Sequence, residues 1–322
     1  MSKGLRIFRR SFVAMGSPCE VQFYVQHLSH GRLLADRAVS EVQRLELRYS
    51  RYRKDSFLSR INETAMSGGR IEVDPETSGI LDYVSLCHEQ SAGLFDVTSG
   101  ILRKAWRFQE QCLPDPEQLE ALLLMVGWDR ISWQSPFLSF PNPGMEIDLG
   151  GAVKEYAVDR VSGIFWAAGI RHGLVNLGGD IRVIGPHPDG SGWQVGISHP
   201  REKGRLMGTI ELFQGAMASS GDYERCMVID GIRYGHILNP KTGWPCNYMA
   251  SVSVMGDFCM VAGSASTIGM LKENEGPDWL LGLGLPCFWM DVAGGFGGTQ
   301  PFNQSPELSV ERELFSGKVV WK

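Results

Sequence analysis

The sequence predicts a mixed α+β fold. Segments in which apolar residues recur at helical spacing alternate along the chain with short segments that have the pattern of strands, and turns rich in glycine separate them. The chain has 322 residues, of which 43% are hydrophobic and 21% charged. It is therefore long enough to bury a sizeable core, either as one large domain or as two lobes around a single cleft.

The first half of the chain contains five predicted elements. They are a strand over residues 12–25, helices over 31–48, 78–92 and 117–126, and a turn-rich loop over 93–100. The helix over 31–48 has the clearest pattern, with apolar residues at helical spacing: Leu33, Leu34, Ala38, Val42 and Leu45. A helix packed on a sheet is the simplest arrangement of these segments.

The second half repeats the mixture. Its predicted elements are a short strand over 145–148, a helix over 152–168, two strands within 173–185 around a Gly178-Gly179 bend, a hairpin over 225–238, a strand through Val252 and Val254, and a helix to about residue 273. Asp230-Gly231 marks the hairpin turn, and Asp257 is the predicted cap of the last helix.

Charge and composition exclude several classes of protein. The net charge of −5 and the lack of a long basic run argue against a nucleic-acid partner. Seven scattered cysteines without a C-x-x-C pair argue against a disulfide framework and a zinc site, and fit a reducing compartment. Neither a secretory signal, a lipobox nor an apolar stretch long enough to span a bilayer is visible, so the expected location is cytoplasmic.

Glycine pairs and nearby polar residues mark the candidate site. Gly150-Gly151 lies where a strand runs into a helix, and free amides at such a junction can bind an anion; the alternative is a tight connection that only needs positive φ. The common nucleotide-binding and hydrolase signatures are absent from the sequence. A single small cleft could instead collect both glycine pairs, the turn at 219–222 and His236.

Several motifs follow one another along the chain. The longest is D-L-G-G-A-V-K-E-Y-A-V-D over 148–159, followed by N-L-G-G-D over 176–180, S-G-D-Y-E-R over 220–225 and H-I-L-N-P-K-T-G over 236–243. Upstream of them are Met15-Gly-Ser17, Tyr52 with Asp55-Ser56 and 58–62, and Phe95-Asp96 with Thr98 and Gly100. In this order the motifs resemble those of the ApbE family of FAD:protein FMN transferases, and together they are far more specific than any one of them.

The resemblance implies a fold and an activity. The fold would be an α+β, two-lobed, ApbE-like architecture, related to the T-fold, with the ligand cleft between the lobes. One such domain would span residues 1–322, with its core at about 9–300. The activity would be magnesium-dependent transfer of FMN from FAD to a threonine of a partner flavoprotein, with release of AMP.

The resemblance also implies the site residues. His236 would be the catalytic base, and Gly151, through its backbone oxygen, and Thr267 would bind magnesium. The residues expected at FAD are Met15, Tyr52, Leu94, Phe95, Asp96, Asp148, Lys154, Asn176, Gly179, Asp180, Ser220, Asp222, His236, Ile237 and Ser266.

The chain departs from the family pattern at two positions. The family motif A-D-A-x-x-T reads A-G-S-A-S-T over 262–267, so Gly263 replaces the acidic metal ligand, and Glu155 stands where the family has glycine. Three explanations are open: another acid such as Asp257 or Glu155 supplies the charge, magnesium arrives only with the FAD diphosphate, or catalysis has been lost. The rival functions are therefore a non-enzymatic FAD-binding protein and an FAD pyrophosphatase.

Overall fold

The computed structural model describes residues 4–299, in which helices and strands are mixed. The α-helices are α1 (Leu28–Tyr49), α2 (Phe57–Ser67), α3 (Pro75–Gln90), α4 (Pro116–Leu123), α5 (Val153–Ala167), α6 (Cys259–Leu271) and α7 (Gly276–Gly282). The strands up to the middle of the chain are β1 (Arg6–Ala14), β2 (Ser17–Val25), β3 (Gly69–Glu72), β4 (Ser132–Gln134), β5 (Phe137–Phe140), β6 (Gly173–Leu177) and β7 (Asp180–Gly185). The later strands are β8 (Trp193–Ser198), β9 (Leu206–Leu212), β10 (Gly215–Gly221), β11 (Cys226–Ile229), β12 (Ile232–Gly235), β13 (Met249–Gly256), β14 (Cys287–Asp291) and β15 (Phe296–Gly298).

An eight-stranded antiparallel sheet is the centre of the fold. Its strand order is β1-β2-β6-β7-β10-β13-β14-β15. Helices α1, α5 and α6 pack on it and form the main core with one set of its side chains. The ribbon of β8 and β9 packs with the alternate set, which includes Leu174, Ile181 and Val183. Successive strand residues thus face opposite sides, and both sides are covered.

A third buried cluster lies around Trp106. It joins the 3₁₀ segment Val97–Lys104 and α4 to the hairpin of β11 and β12. The Trp106 indole Nε1 donates a hydrogen bond to the Gly243 carbonyl oxygen at 2.7 Å. This contact ties the turn that follows His236 to the first half of the chain.

Most predicted helices and the α+β class are confirmed, but the strand predicted over 12–25 is wrong in extent. Residues 6–25 form two paired strands, because Met15 (φ 52°) and Gly16 (φ 69°) turn the chain back on itself. The hairpin over 225–238 and the bend at Gly178-Gly179 are confirmed.

Two local predictions fail because a side chain from a distant segment takes the expected role. Residues 145–148 form no strand; the Asn62 amide instead donates to the Ile147 carbonyl oxygen (3.0 Å) and accepts from its N–H (2.7 Å). Asp257 does not cap α6. The Asp159 carboxylate does, accepting from the N–H groups of Cys259 and Met260 at 3.0 Å each.

The proposed single domain over 1–322 extends past the described residues, since 1–3 and 300–322 lie outside them. Within the described residues, no helix is long and apolar enough to cross a membrane.

Candidate active site

The segment that leads into α5 is held by Asp148. Its carboxylate pairs with Arg51 and accepts a hydrogen bond from the Gly150 N–H at 3.0 Å. Gly100 packs tightly against it, because a Cβ at Gly100 would lie 2.3 Å from the Asp148 Cβ. Gly151, the predicted backbone ligand, is exposed and lies beside the Phe95 ring. The junction predicted from the glycine pair is therefore open on one side and tightly supported on the other.

Tyr52 offers an exposed aromatic face. Its side chain is 75% exposed. The Arg51 guanidinium donates to its hydroxyl at 2.9 Å and lies 5.0 Å from the ring centroid. Arg51 therefore orients the ring and also places a positive charge beside it.

Asp96 holds the loop that carries Leu94 and Phe95. Its Oδ1 accepts from the Thr98 N–H (2.7 Å) and hydroxyl (2.6 Å), and its Oδ2 accepts from the Trp128 N–H (2.9 Å). The Nε2 atom of His88 is 3.6 Å away. Burial opposes ionisation of Asp96, but the hydrogen bonds from His88 and Thr98 outweigh it and lower the pKa of this carboxyl. Asp96 thus lies in the predicted region, with its carboxylate used to support the loop.

The half-buried Lys154 and the buried Asp180 form an ion pair beside the second glycine bend. Lys154 Nζ lies 2.8 Å from Asp180 Oδ2, and the Asp180 charge raises the pKa of Lys154 above its ordinary value. The Asn176 Oδ1 atom accepts from the Gly179 N–H at 2.9 Å, whereas its buried Nδ2 has no hydrogen-bond partner in residues 4–299. That amide is free to donate to a ligand.

Glu155 and Gly263 touch across the α5–α6 contact. A Cβ built on Gly263 would lie 2.5 Å from Glu155 Cγ and 3.1 Å from Oε1. Glu155 is 7% exposed, and among the described residues its Oε2 atom has no hydrogen-bond partner. Burial, followed by the charge of Asp180, raises the pKa of Glu155.

Hydroxyl groups of β10 and α6 meet beside this contact. Ser220 Oγ lies 2.8 Å from Ser266 Oγ and 3.0 Å from Thr267 Oγ1, and Ser266 donates to the Gly263 carbonyl oxygen at 2.9 Å. Within the part of the chain that the structure describes, no group of three or more His, Cys, Asp and Glu side chains is arranged to hold a metal ion. A metal here would therefore take at most one or two carboxylates from these residues, and would depend on hydroxyl or backbone oxygens and on its substrate for its other ligands.

His236 follows β12 and faces a set of cations. Its pKa is lowered to about 4, first by desolvation and then by the charge of Arg225, with smaller effects from Lys154 and Arg51. A hydrogen bond with the Arg225 backbone opposes this shift. His236 is nonetheless exposed to solvent by its accessible surface, and a pKa of about 4 leaves its ring neutral at pH 7. A neutral imidazole can accept a proton.

The remaining predicted residues are Met15, Asp222 and Ile237. The Met15 N–H donates to Glu46 Oε1 at 2.7 Å, and the next residue, Gly16, lies against the Arg225 guanidinium. Asp222 forms a double ion pair with Arg201, at 2.6 and 2.7 Å. The half-buried Ile237 packs against the main core.

These contacts bring predicted residues together in several local groups: Asp148 with Gly100, Lys154 with Asp180, and Ser220 with Ser266 and Thr267. The sequence analysis missed Arg51, Arg225 and Arg201, although each lies within or beside a motif or pairs with a motif residue. Arg51 directly precedes the predicted site residue Tyr52, and this position in the sequence could have identified it. No signal in the sequence pointed to Arg201, because its ion-pair partner Asp222 is 21 residues away.

Comparisons with known proteins point to one family. The model of the ApbE family matches residues 15–289. An FAD:protein FMN transferase of Vibrio cholerae is 34% identical over 248 residues, which cover 75% of this chain and 73% of the relative. One of Haemophilus influenzae is 29% identical over 278 residues, covering 81% and 80%. The crystal structure of the ApbE protein from Thermotoga maritima superimposes with a TM-score of 0.84 at 29% identity, covering 92% of this chain and 98% of that one.

Proposed function

This chain belongs to the ApbE family, and from that premise we propose that it is an FAD:protein FMN transferase. Its substrate is FAD, and the acceptor is a threonine of a partner flavoprotein. The observation that carries the proposal is the combination of a neutral His236 with three nearby cations, Arg51, Lys154 and Arg225. These are the groups needed to bind a diphosphate and to take a proton from a hydroxyl.

The reaction balances as a phosphoryl-type transfer. The threonine oxygen attacks the phosphorus of the FMN half of FAD, the bond from that phosphorus to the bridging oxygen breaks, and AMP leaves. His236 accepts the proton of the threonine hydroxyl. The positive side chains of Arg51, Lys154 and Arg225 stabilise the charge on the diphosphate.

Other residues orient the substrate. The exposed ring of Tyr52 provides a face on which one flat ring system of FAD stacks. Asp96 supports the Leu94-Phe95 loop, and Asn176 holds the Gly178-Gly179 bend with its own Nδ2 available to the ligand. Asp180 fixes the position of the Lys154 ammonium.

Magnesium is part of the proposal. The resemblance assigns it to the Gly151 backbone oxygen and the Thr267 hydroxyl, and the buried, unpartnered Glu155 Oε2 within the described residues fits a cation at this place. When bound, magnesium would neutralise the diphosphate and polarise it toward attack. Glu155 also supplies a carboxylate where Gly263 lacks one, so the absence of an acid at 263 no longer favours the non-enzymatic alternative.

The test of the proposed function measures the release of AMP from FAD. The purified protein is incubated with FAD and Mg²⁺, with and without a flavoprotein that carries an accessible threonine, and AMP is measured by chromatography while mass spectrometry follows the acceptor. We expect AMP in step with FMN attached to the acceptor. AMP at equal rate without acceptor would indicate hydrolysis instead, and no AMP in either sample would contradict the proposal.

We also propose that the protein works in a reducing compartment such as the cytoplasm, because its seven cysteines are all free in the structure. Recovery of the protein from an oxidising compartment on cell fractionation would contradict this.

A further inference from the structure

We propose that Glu155 is the acidic magnesium ligand of this chain, in place of the carboxylate that the family carries at position 263. The inference rests on the proposed function and names a residue for its metal site. The two departures from the family pattern, Glu155 and Gly263, are far apart in sequence but in direct contact in space.

The steric evidence indicates that the Glu155 side chain of α5 takes the space of a side chain at position 263 of α6. Any side chain at position 263 would begin 2.5 Å from Glu155 Cγ, a distance that two carbon atoms do not tolerate without movement. The Glu155 side chain therefore fills the space next to the α6 backbone where a side chain of residue 263 would start. A carboxylate reaches this place from α5 instead of from α6.

The hydrogen bonding indicates that a partner is missing. Glu155 is buried, and its Oε2 has no hydrogen-bond partner within residues 4–299. The nearest cation on its own helix, the Lys154 ammonium, is paired with Asp180 at 2.8 Å. A buried carboxylate oxygen without a partner costs free energy, and a bound cation would remove that cost.

The position also suits the other donors. Thr267 is four residues after Gly263 on α6, so it lies about one turn away, roughly 6 Å along the same helix face. Gly151 precedes Glu155 by four residues and lies just before α5. One carboxylate with a hydroxyl and a backbone oxygen is a small protein contribution, which suits Mg²⁺ because this ion keeps several waters and binds substrate phosphates.

The test measures metal binding directly. Mn²⁺ binding to the full chain is followed by electron paramagnetic resonance, alone and with ADP, which carries the adenosine and diphosphate of FAD but no FMN to transfer. We expect Glu155→Gln, which keeps the shape and removes the charge, to weaken Mn²⁺ binding at least about tenfold. The combined variant Glu155→Gly with Gly263→Asp should restore most of the affinity, because it returns the carboxylate to α6.

Asp257→Asn is the matched control, because Asp257 is an exposed acid just before α6. It should bind Mn²⁺ like the wild type. Wild-type Mn²⁺ affinity in Glu155→Gln would overturn the inference, while AMP release by the wild type would still uphold the proposed function. A wild type that neither binds FAD nor releases AMP would instead overturn the proposed function itself.

Discussion

Gly263 and Gly163 are both helical glycines, but their surroundings differ. A Cβ at Gly163 of α5 meets no atom within 4 Å, whereas a Cβ at Gly263 of α6 meets Glu155. We expect Gly163→Ala to raise the free energy of unfolding by about 0.5–1 kcal/mol through helix propensity. Gly263→Ala should lower it by about 1 kcal/mol or more, because overpacking of a buried site exceeds that gain.

Urea unfolding measures both changes. The coupling to Glu155 provides a further check, since Gly263→Ala should become stabilising when Glu155 is already replaced by Gly. If Gly263→Ala is as stabilising as Gly163→Ala in the wild type, the Glu155 side chain does not fill that space.

His236 gives a second prediction for a single residue. Desolvation and the Arg225, Lys154 and Arg51 charges lower its pKa to about 4, so the neutral ring should persist as pH falls from 8 to 5. Proton NMR checks this on the histidine signal that disappears in His236→Ala. FAD brings negative charge to these cations and should raise this pKa. A midpoint near 6.5 in the free protein would contradict the assignment.

His236 contributes to pH-dependent stability in a definite direction. Its folded-state pKa lies below the ordinary value of 6.5, so its contribution is complete above pH 6.5 and is lost as the pH falls toward 4. His236→Ala should therefore flatten the acid side of the stability profile. The same variant should keep FAD binding and lower transfer about 10²-fold or more, the usual effect of losing a general base. Transfer at the wild-type rate would make His236 a structural residue.

The start of helix α6 depends on a side chain of α5. The Asp159 carboxylate accepts from the N–H groups of Cys259 and Met260 and from Arg182 at 2.8 Å. Asp159→Ala should lower the free energy of unfolding by about 2 kcal/mol or more, because it leaves helix N–H groups and the partly buried Arg182 without their acceptor. Asp257→Ala, which removes the cap predicted from sequence, should change it by less than about 0.5 kcal/mol. Thermal or urea unfolding of both variants decides which residue is the cap.

Local sequence predicts some elements of this fold better than others. The apolar spacing of α1 and the Asp230-Gly231 turn are local signals, and both elements were predicted. Helix α2, the three-stranded sheet of β3, β4 and β5, and the β8–β9 ribbon were missed. The pairing of β3 with β5 joins residues far apart, as between Gly69 and Phe140, and no local pattern encodes such a partner.

Some features of the candidate site could be predicted from the sequence, and others could not. Motif residues such as Lys154 and Asp180 could be named from the sequence because the resemblance covers them. The contact between Glu155 and Gly263 could not be inferred, since it depends on how closely α5 and α6 approach. Sequence analysis identified both departures but left open whether they compensate each other.

At the scale of the whole molecule, the site residues come from distant parts of the chain. Arg51 and Tyr52 follow α1, Lys154 lies on α5, and His236 follows β12. A ligand that contacts all of them needs a ring system to stack on Tyr52 and phosphates to pair with the cations. FAD has two ring systems joined by a diphosphate, whereas FMN has one ring system and one phosphate.

We therefore expect the protein to bind FAD at least about tenfold more tightly than FMN. A second stacked ring contributes about 0.5–1.5 kcal/mol and a charge-assisted hydrogen bond to the second phosphate about 1.5–3 kcal/mol, and 1.4 kcal/mol already corresponds to a factor of ten. Flavin fluorescence titration without divalent cations measures both affinities before any transfer occurs. Tyr52→Ala should weaken binding through the lost ring, and Leu124→Ala, an exposed apolar residue of similar accessibility outside the predicted site, should not. Equal affinity for FMN and FAD would mean that the adenylate half of FAD makes no contacts here, and the proposed site would then be wrong.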